Sequence, residues 1–272
     1  MKFSMPVFQS RLSRGAGLVL GIVALNGPSI QAQVLGTASQ FGVLAGSTVT
    51  NTGNSVITGD VGVSGGSAIT GFPPGIILSG TQHSNDATAI QAQLDMYSAL
   101  TTIKGETVTQ SLTGQDLGGL VLTPGVYFFS SSAQLTGSLM LNAQGDPNAR
   151  FDFQIGSTLT TASASSVLLE NGAAGGNVYW EVGSSATLGT TTAFEGNILA
   201  EASITANTGA NDPCGSFQAH TGAVTLDDNT VGGGCTSVDP RPSGATPEPS
   251  AAVIACCLTA AVAIRRRRPW NK

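Results

Sequence analysis

Short apolar stretches alternate with turn residues along most of the chain. "FGVLAG", "SVITGDVGV", "GVYFFS", "GSLMLNA", "RFDFQIG", "SVLLENG", "NVYWEVG", "GNILAE", "SITAN" and "AVTLDD" each end at or near Gly, Asn, Asp or Ser, as strands broken by turns do. Three later pieces, "STLTTA", "ASITAN" and "GAVTLD", share a pattern of small residue, aliphatic residue and Thr, and "SATLGT" is a looser copy. They recur at intervals of about twenty residues, the length of one circuit of a solenoid in which each circuit buries its inward side chains against its neighbours. That predicts a mainly β chain and favours a β-helix. A β-sandwich also gives many short strands, and the pattern alone leaves it open.

One segment breaks the strand rhythm. In "NDATAIQAQLDMYSALTTIK", Ala87, Ile90, Leu94, Tyr97 and Thr101 are spaced by three and four residues, with Asn85 placed to cap the start and Gly105 just past the end. The spacing predicts one long amphipathic helix over about 85–104, long enough to lie along the flank of a solenoid.

The two ends differ in kind from the middle. Lys2, Arg11 and Arg14 precede the apolar "GAGLVLGIVAL" and a small-residue region ending "IQAQVLG", the three-part pattern of a secretory signal peptide over residues 1–33, with cleavage near Ala32. After Val231, "GGGCTSVDPRPSGATPEP" reads as a linker, assigned to 237–246. Then Pro247, Glu248 and Pro249 introduce an apolar run over 251–264, which is closed by Arg265, Arg266, Arg267 and Arg268. That run is short for a full membrane span, but the arginines would hold a cytoplasmic position, leaving residues 34–236 as an exported domain.

With both ends set apart, three basic residues (Lys104, Arg150, Arg241) face all 16 acidic ones, a balance of −13. Such a surface repels phosphate backbones, and nucleic acid is excluded as a partner. Cys256 and Cys257 lie in the apolar tail, whereas Cys214 and Cys235 fall in the exported region, where an oxidising compartment makes them a candidate disulfide.

Two resemblances follow from these residues. The tail at 247–272 is similar to a PEP-CTERM sorting signal. That implies a bacterium with an outer membrane, processing by an exosortase near Pro247-Glu248-Pro249, and a transient membrane anchor; a plain C-terminal anchor is the other reading. From about Leu35 to about Thr230, "LGTASQFGVLAGSTVTNTGNSVITGDVGVSGGSAITGFPPG", "LTPGVYFFSSSAQLTG", "LNAQGDPNARFDFQIGSTLTTAS", "VYWEVGSSATLGTTTAFEGNILA" and "GAVTLDDNT" together resemble the DUF3494 ice-binding protein family. The resemblance implies a discontinuous right-handed β-helix of triangular cross-section, with one long helix packed alongside. It also implies a flat face rich in Thr, Ser and Ala that adsorbs to ice or ordered water.

The candidate contact residues are Thr52, Asn54, Thr160, Thr187, Thr205, Thr208, Asn211, Thr221 and Thr225. Some belong to the family's Thr-Ala/Gly-x-Thr/Asn motif: Thr208-Gly209-Ala210-Asn211 matches it, Thr52-Gly53-Asn54-Ser55 nearly does, and Thr221-Gly222-Ala223-Val224 departs at its last position. Asp212-Pro213-Cys214 interrupts the expected strand, and puts the flatness of the neighbouring face in question. A non-catalytic structural or adhesive module of the envelope or extracellular matrix is the alternative function.

Catalysis finds little support. Gly62-Val63-Ser64-Gly65-Gly66 satisfies G-x-S-x-G, but a nucleophile elbow needs a helix after it and "SAITGFPPG" follows. His83 and His220 lack ligand-spaced neighbours, so no metal site is expected. Asp152, Glu181 and the pair Asp227-Asp228 have no spacing that sets two carboxylates across one bond. No enzyme activity and no cofactor are expected.

Overall fold

The computed structural model describes residues 30–232. The signal-like segment up to residue 29 and the tail with its Pro-Glu-Pro, apolar run and arginines lie outside the described residues. Within them the chain is mainly β with two helices, α1 (Ile30–Leu35) and α2 (Ala87–Lys104). No helix among the described residues is long and apolar enough to cross a membrane.

All the strand pairings are parallel, and they build four sheets from successive circuits of the chain. The largest has nine strands in the order Gln82–Ser84, Asp60–Val63, Phe41–Ala45, Ser216–Ala219, Asn197–Ala200, Val178–Val182, Phe151–Ile155, Gly125–Phe129, Gln110–Ser111. The second has seven: Ala133–Leu135, Leu159–Thr161, Ala186–Leu188, Ile204–Ala206, Val224–Asp227, Thr48–Thr52, Ala68–Thr70. Two three-stranded sheets take the remaining strands, Ser166–Glu170, Ser138–Asn142 and Val121–Leu122 in one, Thr230–Val231, Val56–Thr58 and Ile76–Leu78 in the other. Between these two the ladder thins to isolated bridges, Ser166 to Ala193 to Asn211 and Asp212 to Val231.

The order in space is not the order in sequence. The last circuit, beginning at Ser216, pairs with the first, beginning at Phe41. Chain that leaves Ser84 at one edge of the nine-stranded sheet re-enters at Gln110, on the opposite edge. The 18 residues of α2, about 27 Å at 1.5 Å per residue, make that crossing.

The helix begins one residue later than expected. Asn85 has φ of 50°, and Asp86 is the N-cap, its carboxylate accepting from the Ala89 N–H at 2.9 Å. The packing face also differs from the one the spacing implied. Ala89, Ala92, Met96, Ala99, Leu100 and Ile103 are buried, while Ile90, Leu94 and Tyr97 are 44, 61 and 43% exposed. The surface beneath explains the change: Phe41, Leu44, Tyr179 and Leu199 already project from the sheet, so small helix side chains allow the closest approach. Tyr97 instead stacks on His220, ring centroids 4.2 Å apart.

Three glutamines fasten this layer by donating to backbone carbonyls: Gln93 to Ala219 (3.0 Å) and His220 (2.7 Å), Gln154 to Ile103 (2.7 Å) and Glu106 (3.0 Å), Gln218 to Ala38 (3.0 Å). The middle of the nine-stranded sheet is thus covered on both faces, and its strands from Phe41, Phe151 and Val178 are buried at every position. Inside the circuits, Phe153 stacks on Trp180 at 3.8 Å and 7°, with Tyr127 and Phe194 on either side.

Candidate functional site

The seven-stranded sheet has the opposite character. Ala133–Leu135, Leu159–Thr161 and Ala186–Leu188 bury their first and third residues and turn the middle one out. Because side chains alternate across a strand, the small–aliphatic–Thr pattern sends every aliphatic residue inward and every Thr outward. The pairing then sets the Thr residues side by side: Thr160 beside Thr187, Thr187 beside Thr205, Thr205 beside Thr225, Thr225 beside Thr50, Thr50 beside Thr70. Six consecutive strands carry Thr at one register position, and Gln134 takes the seventh.

On its N-terminal side, small residues flank this row. Two positions earlier stand Ser132, Thr158, Ser185, Ser203, Ala223, Thr48 and Ala68, none of them charged. Among the described residues, the hydroxyls of Thr50, Thr160, Thr187, Thr205 and Thr225 have no hydrogen-bond partner. Strands about 4.7–4.9 Å apart hold these methyls and free hydroxyls at a fixed repeat. β-Branching restricts each χ1, so ordering water over them costs little side-chain entropy.

The expected contact residues divide on this frame. Thr160, Thr187, Thr205 and Thr225 lie in the row. Thr52 is exposed two positions beyond Thr50 on the same strand, opposite Asp227. Asn54, Thr208 and Thr221 lie in the turns between strands and Asn211 in the isolated bridge to Ala193, where they tie circuits together. Thr208 donates to the Asp227 carboxylate, the Asn54 N–H to Asp228 Oδ1 at 2.5 Å, and Thr221 to the Glu201 carbonyl at 2.7 Å. Asn211 donates to the Gly209 carbonyl at 2.9 Å and accepts from the Thr230 N–H at 2.6 Å. Thr208 and Asn211 of the Thr-Gly-Ala-Asn motif thus both bond to the protein beside the row. Thr50 and Thr70 were not among the expected residues, although "TVT" and "AIT" carry the same small–aliphatic–Thr signal.

The insertion Asp212-Pro213-Cys214 falls outside the seven-stranded sheet. Asp212 bridges to Val231, and Cys214 is disulfide-bonded; Cys235 lies outside the described residues. Beside it, burial pushes the Glu195 carboxyl up to about 7 and raises Asp212 well above the carboxylate range, where the charge of Glu195 raises it further.

The carboxylates that might suggest catalysis have structural partners. Asp152 is buried against Arg150 at 2.9 Å, and the buried Glu181 lies 3.7 Å from Lys104. His83 Nδ1 sits 2.8 Å from the helix-capping Asp86. The strand Asp60–Val63 is followed by a turn and the strand Ala68–Thr70, so Ser64 stands on no nucleophile elbow. Among the described residues no three His, Cys, Asp or Glu side chains cluster as metal ligands.

Comparison with known proteins decides the family. The ice-binding-like family model matches residues 43–232. The chain belongs to the ice-binding-like family. An ice-binding protein of Nostoc sp. (strain HG1) is 52% identical over 265 residues, covering 95% of this chain and 97% of the relative. The ice-binding protein of Flavobacterium frigoris (strain PS1) is 33% identical, over 76% of this chain and 78% of its own. Among solved structures, an ice-binding protein from an Antarctic biological consortium superposes with a TM-score of 0.70 at 49% identity, covering 73% of this chain and 89% of that one. The family membership spans all seven strands of the threonine sheet.

Proposed function

We propose that this protein binds ice, and that the threonine sheet is the surface that does so. The observation carrying the reading is the register of six consecutive strands that place Thr50, Thr70, Thr160, Thr187, Thr205 and Thr225 in one outward row, with five of the hydroxyls unbonded. Parallel pairing in every circuit supports a right-handed β-helix of triangular section, with the threonine sheet as a flat side. A flat grid of methyls and hydroxyls can hold a water layer in the positions ice demands, whereas charged groups would impose their own hydration shells. Relatives described as ice-binding proteins support the same conclusion.

The signal-like N-terminus, the tail that resembles a sorting signal and the disulfide at Cys214 support export to the outer surface or extracellular matrix, with exosortase processing and a transient membrane anchor before it.

The test is ice recrystallisation inhibition and thermal hysteresis on the purified protein beside Thr187→Tyr, in which one ring stands above the row, inside its margin. The parent is expected to be active and the variant to lose most activity with its unfolding midpoint unchanged. An inactive parent would leave a structural or adhesive module as the function.

A further inference from the structure

The threonine row ends within its own sheet. At one margin Thr70 completes it, but at the other the seventh strand carries Gln134, in register with Thr160. Gln134 has no β-branch, so χ1 is freer than in Thr. Its amide reaches beyond the methyl level, and immobilising it costs more side-chain entropy. Beyond it, Asp116 pairs with Gln134 as an isolated bridge. A concavity of about 250 Å³, lined by Gly114, Gln115, Asp116, Ser132 and Gln134, opens at this margin.

Asp116 is held in place as an anion. Its Oδ1 accepts from the N–H groups of Gly118 at 2.7 Å and Thr136 at 2.9 Å. Burial opposes ionisation, but these bonds outweigh it and keep the carboxyl below its ordinary range. A fixed charge beside a hollow orders water around itself.

We propose that Gln134, with Asp116 behind it, is a built boundary of the ice-contacting surface, which limits contact to the six threonine circuits and so sets the area of ice one molecule covers. The inference rests on the threonine sheet being the ice-binding surface. Gln134 is a size-determining residue: it has the right place to be a contact and the wrong chemistry.

Three variants measured beside the parent test it: Gln134→Thr, Gln134→Tyr and Thr187→Tyr, each checked for an unchanged unfolding midpoint. Gln134→Thr adds one methyl contact to the row, and is expected to lower the concentration giving half-maximal recrystallisation inhibition about fourfold, equivalent to about 0.8 kcal/mol. Gln134→Tyr is expected to change it less than twofold, because a ring beyond the margin blocks nothing. Thr187→Tyr is expected to lose most activity. If Gln134→Tyr is as damaging as Thr187→Tyr, Gln134 lies inside the contact and the boundary is overturned. No gain from Gln134→Thr overturns it too. An inactive parent, or full activity in Thr187→Tyr, overturns the ice-surface reading itself and the boundary with it, a result distinct from the other two.

Discussion

The nine-stranded and seven-stranded sheets are made by the same circuits of chain, one strand after the other, yet one ends beneath a helix and the other ends bare. The difference lies in the outward side chains. Those of the nine-stranded sheet are large or hydrogen-bonding, such as Phe41, Leu44, Tyr179, Gln154 and Gln218, and each gains by being covered. Those of the seven-stranded sheet are mostly Thr, Ser and Ala, joined by Gln134 and Asp227, and gain little from a protein cover. A surface can therefore be reserved for water without special architecture, by keeping the side chains of its central row small and uncharged and most of their hydroxyls unbonded. Substitutions beneath α2 should then cost stability, and substitutions on the threonine sheet should cost activity alone.

The largest cost should come from Arg150. Its Nη2 lies 2.9 Å from both Glu106 Oε1 and Asp152 Oδ1, and its guanidinium stands 5.0 Å over the Tyr179 ring. Burial pushes the Asp152 carboxyl up to about 7 although Arg150 pulls it down. Arg150→Ala would leave carboxyl groups without their cation just past the end of α2. Stability should fall by about 3–5 kcal/mol in urea unfolding. A loss under 1 kcal/mol would show that the cluster contributes nothing to holding the helix.

Next comes Ala99, 2% exposed on the packing face of α2. Ala99→Leu should overpack this layer and cost about 1–3 kcal/mol, with the midpoint lowered in the same experiment. Unchanged stability would mean the helix rides loosely and the small-residue argument is wrong.

A pH effect of smaller size belongs to the irregular corner outside both sheets. The Glu195 carboxyl, at about 7 in the folded protein against 4.5 ordinarily, holds its proton in the fold and loses it on unfolding. Its contribution is complete below about pH 4.5 and fades as pH rises through about 7, with a limiting slope of about 1.4 kcal/mol per unit that partial exposure reduces. The midpoint should fall between pH 5 and pH 8, and Glu195→Gln should flatten that fall. Asp152 titrates over a similar range in the same direction, so some slope should survive in the variant.

The sequence carried the threonine sheet better than the covered one. "STLTTA", "ASITAN" and "GAVTLD" display their alternation because one side of each strand meets water, and the row can be read from them. "TVT" and "AIT" hold the same signal, but the first circuits are far from the last in the chain, and nothing local tells that Thr50 lies beside Thr225. That order depends on a pairing between Phe41–Ala45 and Ser216–Ala219, which no local pattern marks. The helix was legible as an element and illegible as a surface. Periodicity singles out bulky apolar residues, so it marked Ile90, Leu94 and Tyr97, whereas packing on an already filled sheet selects Ala92 and Ala99. The motif Thr208-Gly209-Ala210-Asn211 falls outside the row for a related reason: Thr and Asn are as well suited to binding backbone and carboxylate at a corner as to meeting solvent.

The smallest effects on stability make the sharpest comparison, because two outward positions, one on the helix and one on the threonine sheet, should behave alike in folding and differently in function. Leu94 is 61% exposed on the outer side of α2, and Thr205 stands half-buried in the middle of the threonine row. Leu94→Gln and Thr205→Val should each change stability by no more than about 0.5 kcal/mol. Leu94→Gln should leave recrystallisation inhibition untouched. Thr205→Val keeps the methyls and the shape but removes a hydroxyl that bonds to nothing in the protein, so any activity it loses measures what that hydroxyl does for bound water. Equal activity in parent and Thr205→Val would assign the surface's work to its methyl grid and spacing. A several-fold loss would assign it to anchored water, and a loss caused by Leu94→Gln would move the contact onto the helix side.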